Sequence, residues 1–287
     1  MNNHRRTILA CIDGSSYSES VVDYAAWASR TVENPLKLLH NIERRNSPEP
    51  NLSGNIGLGA RETLQEELTE MEAKRSKLLL EQGQIMLENA RKRAEEQGVF
   101  EVSALQQHGT LSDSLISMED EIRVLVMGVR GEDHESKDRQ IGAQLESVIR
   151  AMHRPVLIVN NEFTKAPERI LLAYDGSDAA RKGLDMVATS PLYKGMECHL
   201  VHVSKDAHAE SSLLKEAAQK LEAAGLNVVV AGLQGSVETA LLDYQSEKNI
   251  ELTVMGAFGH SRLKELLFGS VTVKMLSRSK VPLLLLR

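Results

Sequence analysis

Cysteine is scarce in this chain: 287 residues contain two, Cys11 and Cys198, each inside an apolar run. Two lone cysteines so placed read as small buried thiols rather than as a disulfide framework. Long apolar runs are missing as well. No stretch of eighteen apolar residues occurs, and the opening MNNHRRTILACID has two arginines but neither the apolar core nor the small-residue cleavage site of a secretory signal. A cytoplasmic protein without a membrane span is therefore expected. Positive charge is in deficit, with 34 Lys and Arg against 40 Asp and Glu and a net charge of −6, which disfavours tracking along a nucleic-acid backbone.

Several catalytic and cofactor signatures are also absent. No Gly-x-Gly-x-x-Gly turn follows a first strand, which argues against a dinucleotide dehydrogenase. No Gly-x-Ser-x-Gly elbow is present. GNIGLGAR from Gly54 begins like a P-loop, yet Ala60 and Arg61 stand where Lys and Ser or Thr must reach phosphate and magnesium. CHLVH puts Cys198, His199 and His202 on one strand, where alternation sends His199 to the opposite face from the other two and disfavours zinc.

What the chain does contain is an internal duplication. TILACIDGSS from Thr7 matches RILLAYDGSD from Arg169, so that Asp13 and Asp175 correspond at a shift of 162. Further on, Gly109 matches Gly235 at 126, Gly128 matches Gly256 at 128, and Pro155 matches Pro282 at 127. Four matches in order make two repeats, and the drop in shift says that the first carries about 36 extra residues before Gly109. Strand-like runs near 7–13, 36–42, 99–106, 122–128 and 155–160, then near 169–175, 197–204, 226–232, 250–256 and 281–286, alternate with helical patterns. That alternation predicts an α/β chain of two tandem, doubly wound, five-stranded parallel-sheet domains, with ligands at the carboxyl ends of the strands. The expected domains are 1–162 and 163–287, joined through the polar segment NNEFTKAPER, with the boundary near Phe163.

The extra residues, about 46–98, begin as a loop rich in Pro, Gly, Asn and Ser. From Arg61 to Gln97 they become helical, with Leu64, Leu68, Met71, Leu78, Ile85 and Met86 near one stripe and Gly98 as a stop. At 1.5 Å per residue such a helix is about 55 Å long, so part of it must project or Gly83 must bend it. It either lies solvated on its own domain or offers a surface to a protein partner or a second copy.

The block VMGAFGHSRLKELLFGSVTVK places Gly256 and Gly259 where the fourth strand of the second repeat ends. Gly269 and Ser270 open a helix ten residues later. Glycines at a strand end let backbone N–H groups approach a ligand, and a helix N-terminus favours an anion. The Ser270 and Thr272 hydroxyls are expected to donate to phosphate oxygens. One loop would then close over phosphates from two sides.

The spacing Gly-x2-Gly-x9-Gly-Ser, here Gly256, Gly259, Gly269 and Ser270, resembles the ATP-binding signature of the universal stress protein family, and the likeness covers nearly the whole chain as two tandem repeats. The resemblance implies an adenine-nucleotide-binding, Rossmann-like fold and a role in the stress response. It places the adenosine near Asp175 and the second strand's end at Val203, and the phosphates on Gly256, Gly259, Gly269, Ser270, Val271 and Thr272, with Met255, His260 and Arg262 also among the cofactor-binding residues. The ligand implied is ATP, alone or with Mg2+. Where family members carry a small or basic residue, this chain has Phe258.

The first repeat fits less well. Gly128, Gly131 and Gly142 are spaced x2 and then x10, and Ala143 replaces the serine. Loss of one hydrogen bond to a charged oxygen costs about 1.5–3 kcal/mol, about ten- to a hundredfold in affinity. Weak binding through Asp13, Gly128, Arg130, Gly131 and Gly142 is one reading, and a degenerate structural repeat the other. Three functions follow for the whole chain: a nucleotide-dependent regulatory module, a slow ATPase or phosphotransferase using His260, Arg262 or Lys264, or an interaction module without nucleotide. Its last strands, RPVLIVN and VPLLLLR, are expected to pair with each other within the chain as a pseudo-dimer of repeats.

Overall fold

The computed structural model describes residues 6–43, 58–131, 143–204, 211–257 and 269–287. Its first half runs β1 (Thr7–Cys11), α1 (Ser18–Val32), β2 (Leu36–Ile42), α2 (Leu58–Glu96), β3 (Val102–His108), α3 (Leu111–Ser117), β4 (Ile122–Gly128), α4 (Ala143–Ala151) and β5 (Val156–Val159). The second half repeats the plan with β6 (Arg169–Ala173), α5 (Asp178–Thr189), β7 (Glu197–Ser204), α6 (Ser211–Ala223), β8 (Asn227–Gln234), α7 (Val237–Glu247), β9 (Leu252–Gly256), α8 (Ser270–Arg278) and β10 (Leu283–Leu286).

The strands form one sheet in the order β3-β2-β1-β4-β5-β10-β9-β6-β7-β8. Every neighbouring pair is parallel except the central one, where Leu283, Leu284 and Leu285 run antiparallel to Ile158, Leu157 and Val156. The expected pairing of the two closing strands is therefore present. The two five-stranded layers join into ten strands whose halves are related by a pseudo-twofold axis at this seam.

Both faces of the sheet are covered, so strand residues alternate between two cores rather than between core and water. Ile8, Leu38, Leu172 and Leu284 pack on one side with Trp27 and Leu184; Leu9, Leu125, Leu171 and Leu285 pack on the other with Met275. Both cores extend through both halves. Each fully buried leucine of β10 contributes about 1.5–3 kcal/mol, which is what fixes this short strand at the centre.

Side chains reinforce the seam. The Tyr24 ring of α1 meets Phe163 edge to face at 4.8 Å, its hydroxyl donates to Asn161 Oδ1 at 3.1 Å, and Asn160 Nδ2 donates to the Ser279 carbonyl at 2.8 Å. The connection from β5 to β6 is fastened by Glu251: its carboxylate accepts from the Glu168 and Arg169 amides at 2.7 and 3.1 Å and pairs with Lys165 at 3.0 Å. Burial pushes the Glu251 pKa up, but those donors outweigh it and the net shift is downward from 4.5. A depressed carboxylate stabilises the fold above its unfolded pKa and loses that contribution as pH falls through the folded value. Glu251→Gln is therefore expected to be less stable than wild type at pH 7, with the two thermal midpoints converging below pH 4.5. A gap that persists unchanged in acid would refute the assignment.

Helix α2 is a single element of 39 residues, about 58 Å long, and it passes through Gly83 without a break. Its carboxy-terminal part is the true crossover. Leu87, Ala90 and Ala94 are buried, and Arg93 makes a two-pronged pair with the buried Asp23 of α1 at 2.7 and 2.8 Å. Gly98 terminates it with φ +84°. The amino-terminal part projects. Most of the apolar stripe read from the sequence does not face the core: Met71, Leu78 and Ile85 are 68, 65 and 62% exposed, whereas Met86 packs against it.

Gly83 marks where the helix lands on the sheet. A Cβ there would lie 2.1 Å from Gln106 Nε2 and 2.4 Å from the His40 ring. Alanine improves helix propensity by about 1 kcal/mol, but overpacking costs about 1–3 kcal/mol, and the His40 ring is held in place by a hydrogen bond to Ile12. Gly83→Ala is accordingly expected to lower the denaturant midpoint despite the better helix former.

Candidate functional site

The strand sequence β6 to β7 to β8 winds outward in one direction, and β9 then returns to the other side of β6. The crevice at the carboxyl ends of β6 and β9 is thus the reversal point of the second half, where such sheets receive ligands. The sequence brings its specialised residues to that end. After β6 comes Asp175, whose Oδ1 accepts from the Ser177 amide at 3.0 Å; Gly176 follows with φ +73°, a value that suits glycine. Ser177 then caps α5, its hydroxyl accepting from the Ala180 amide at 3.2 Å.

On the far side of the crevice Met255 is buried within β9 and Gly256 ends the strand. A Cβ on Gly256 would lie 3.0 Å from Ala179 Cβ in the first turn of α5. Its counterpart Gly128 is confined in the same way, 3.1 Å from Tyr17 Cβ. Close packing of strand end on helix therefore demands glycine at this position in both repeats, before any ligand is considered. Val203, half-buried near the end of β7, lies on the other flank of β6.

Helix α8 opens at Ser270 with Gly269 as its cap residue, and among the described residues no side chain caps that end. Ser270 is exposed and Val271 half-buried, with the first-turn amides and the positive end of the helix dipole beside the β9 end. Thr272 corrects an expectation. Its hydroxyl, only 2% exposed, donates to the Ala257 carbonyl at 2.7 Å, so its one proton is committed to bracing the loop and only its backbone is left for an anion. Gly259, His260 and Arg262 lie outside the described residues, as do Phe258 and Lys264.

The first half builds the same turn with different surroundings. Asp13 Oδ1 accepts from the Ser15 amide at 3.0 Å and from the Ser18 hydroxyl at 3.1 Å, and Gly14 has φ +79°. Ser15 does not cap α1: the helix starts only at Ser18, and the buried Ser15 hydroxyl has no hydrogen-bond partner among the described residues. Gly131 folds back on Asp13, its Cβ direction meeting Asp13 Oδ2 at 3.2 Å. Arg130 is half-buried beside it, and Gly142 lies outside the described residues. At the start of α4, Gln144 donates to Glu43 Oε1 at 2.7 Å. Two carboxylates, Asp13 and Glu43, thus rim this end. The shift that relates Asp13 to Asp175 puts Lys205, outside the described residues, at the sequence position of Glu43.

A pair of histidines escaped the sequence reading. His40 of β2 donates through Nδ1 to the Ile12 carbonyl at 2.8 Å, and His202 of β7 donates through Nδ1 to the Tyr174 carbonyl at 2.6 Å. Because a carbonyl only accepts, both rings carry a proton on Nδ1, and each holds the residue that precedes the turn aspartate. The signal was available: His40 and His202 are related by the same 162 as Asp13 and Asp175. The other two residues of CHLVH go elsewhere. Cys198 is buried, its thiol pushed up to about 12 by desolvation, and His199 bonds Tyr244 and Glu197 at 2.9 Å each on the opposite face. Cys11 is likewise a free thiol, pushed up to about 12 by burial and by the charge of Asp13.

Comparison with known proteins agrees with this architecture. The model of the universal stress protein family matches residues 4–160 and 204–287. The chain belongs to that family. It is 33% identical over 287 residues to the universal stress protein Slr1230 of Synechocystis, covering 98% of this chain and all of the relative. The universal stress protein YxiE of Bacillus subtilis is 29% identical over 145 residues, 42% of this chain and 98% of its own length, the size of a single repeat. A universal stress protein from Archaeoglobus fulgidus has a crystal structure that superposes with a TM-score of 0.70 at 22% identity, covering 98% of this chain and 96% of the other, and so shares the fold of both halves. Among the described residues no helix is long and apolar enough to cross a membrane.

Proposed function

We propose that the chain is an adenine-nucleotide-responsive stress protein of two domains, 1–162 and 163–287, with one ATP site in the second. The ligand is ATP, accompanied by Mg2+ when the metal is present. The observation that carries the reading is the assembly at the reversal point of β6 and β9: the Asp175 turn on one strand end, Gly256 on its neighbour, and the start of α8 at Gly269 and Ser270. These groups supply an acceptor for the nucleoside and backbone donors for the phosphates. The first half retains the turn, with Asp13 in the place of Asp175, but adds Glu43, a further carboxylate that repels a polyphosphate.

Binding rather than turnover is the proposed role, with the loop between β9 and α8 read by a protein partner. Native mass spectrometry of the full chain tests it directly, because it weighs protein and ligand together. One ATP per chain is expected. A chain that takes up no nucleotide from excess ATP would remove the reading, and phosphate release above the buffer rate that disappears in His260→Ala would turn it into an enzyme.

A further inference from the structure

The projecting part of α2 has a composition that its own fold does not explain. Met71, Leu78 and Ile85 recur at intervals of seven residues and are 68, 65 and 62% exposed. At 100° per residue they form one stripe about 150° round the helix from the buried Gly83, Leu87, Ala90 and Ala94. A seven-residue apolar repeat on a helix is the pattern that seats a second helix. Leu68, Arg75 and Gln82 occupy the alternate positions of the same seam. Polar residues there weaken such a pairing while restricting it to few registers.

The charges beside the stripe say what covers it. One flank carries Glu67, Glu70, Lys74, Lys77 and Glu81 in that order, the last paired with Lys77 within its own helix, and the other carries Glu72 beside the seam residue Arg75. Over residues 67–77 the first flank changes from acidic to basic, and Glu72 precedes the seam residue Arg75 in the same sense. A second copy laid alongside in the same direction sets like charge on like. A second copy laid antiparallel, with a twofold axis crossing near residue 73, brings Glu67 to the partner's Lys77, Glu70 to the partner's Lys74, and Glu72 to the partner's Arg75. We propose that the projecting segment of α2 is a homodimerisation arm that pairs antiparallel with the same segment of a second chain. The two nucleotide cleft candidates play no part in this, and the inference stands independently of the proposed function.

Sedimentation equilibrium of the full chain over nanomolar to micromolar concentrations reads the outcome. Wild type is expected to be dimeric at the upper end. Met71→Glu with Leu78→Glu is expected to be monomeric with an unchanged thermal midpoint, because both side chains are mostly exposed. An acidic variant (Lys74→Glu, Arg75→Glu, Lys77→Glu) and a basic variant (Glu67→Lys, Glu70→Lys, Glu72→Lys) should each be monomeric alone and form a one-to-one heterodimer when mixed. That restoration also covers the loss of the Lys74–Glu70 pair within the helix, which mixing does not repair. A wild-type chain that stays monomeric throughout, including one whose stripe instead binds lipid vesicles, overturns the proposal. So does a dimer that survives the Met71 and Leu78 substitutions, or a mixture that remains monomeric.

Discussion

Ser270→Ala combined with Asp175→Asn is expected to weaken ATP binding by about a hundred- to ten-thousandfold in isothermal titration, while leaving the fold intact. Each substitution takes one hydrogen bond from a charged partner, worth about 1.5–3 kcal/mol, and 1.4 kcal/mol corresponds to a factor of ten. The asparagine keeps an oxygen for the Ser177 amide, so the turn that carries residue 175 survives and the loss reports on the ligand. Ser270 is exposed at the start of α8, and alanine there disturbs no core. Asp13→Asn, the same change in the first half, is expected to leave affinity and stoichiometry as they were. Equal losses from Asp13→Asn and Asp175→Asn would place binding in both repeats, and a loss from Asp13→Asn alone would place it in the first.

Leu284→Asp is expected to be the most destabilising single change in the chain. Leu284 is 2% exposed and sits in β10 between β5 and β9, so a carboxylate there has no water and no cation to meet. Burying an unpaired charge in a core costs on the order of 5 kcal/mol. At about 2–4 °C per kcal/mol for a protein of this size, the thermal midpoint should fall by at least about 10 °C, or the chain should be recovered only as aggregate. Val273→Asp on the exposed side of α8 serves as the control, with a change expected within about 0.5 kcal/mol. A small effect at Leu284 would mean that the two halves do not depend on their shared seam.

Much of this architecture could be read from the chain because local pattern and global fold agree. The runs ending at Asp13 and Asp175 are strands, and the apolar closing segments found each other because an exposed leucine-rich edge has few other places to go. The direction faced by the α2 stripe was not legible. Periodicity identifies a face but not what lies opposite, and the smaller stripe of Gly83, Leu87, Ala90 and Ala94 won the sheet because small residues let the helix approach. Thr272 escaped for a related reason. A hydroxyl at a helix start serves equally a phosphate or a nearby carbonyl, and only the fold shows Ala257 within reach. His40 and His202 carry information only as a pair, because the relation lies between strands of different repeats rather than within one strand.

The nine-residue tether 160–168 changes the arithmetic of partnership between the repeats. Two separate domains joined edge to edge come apart on dilution, whereas a short tether holds the mate at millimolar effective concentration whatever the expression level. Selection on the amino-terminal unit to keep its own cargo can then lapse, since it remains useful as a permanently docked wall for its neighbour. Drift of one cleft beside a preserved twin is the outcome such a fusion permits.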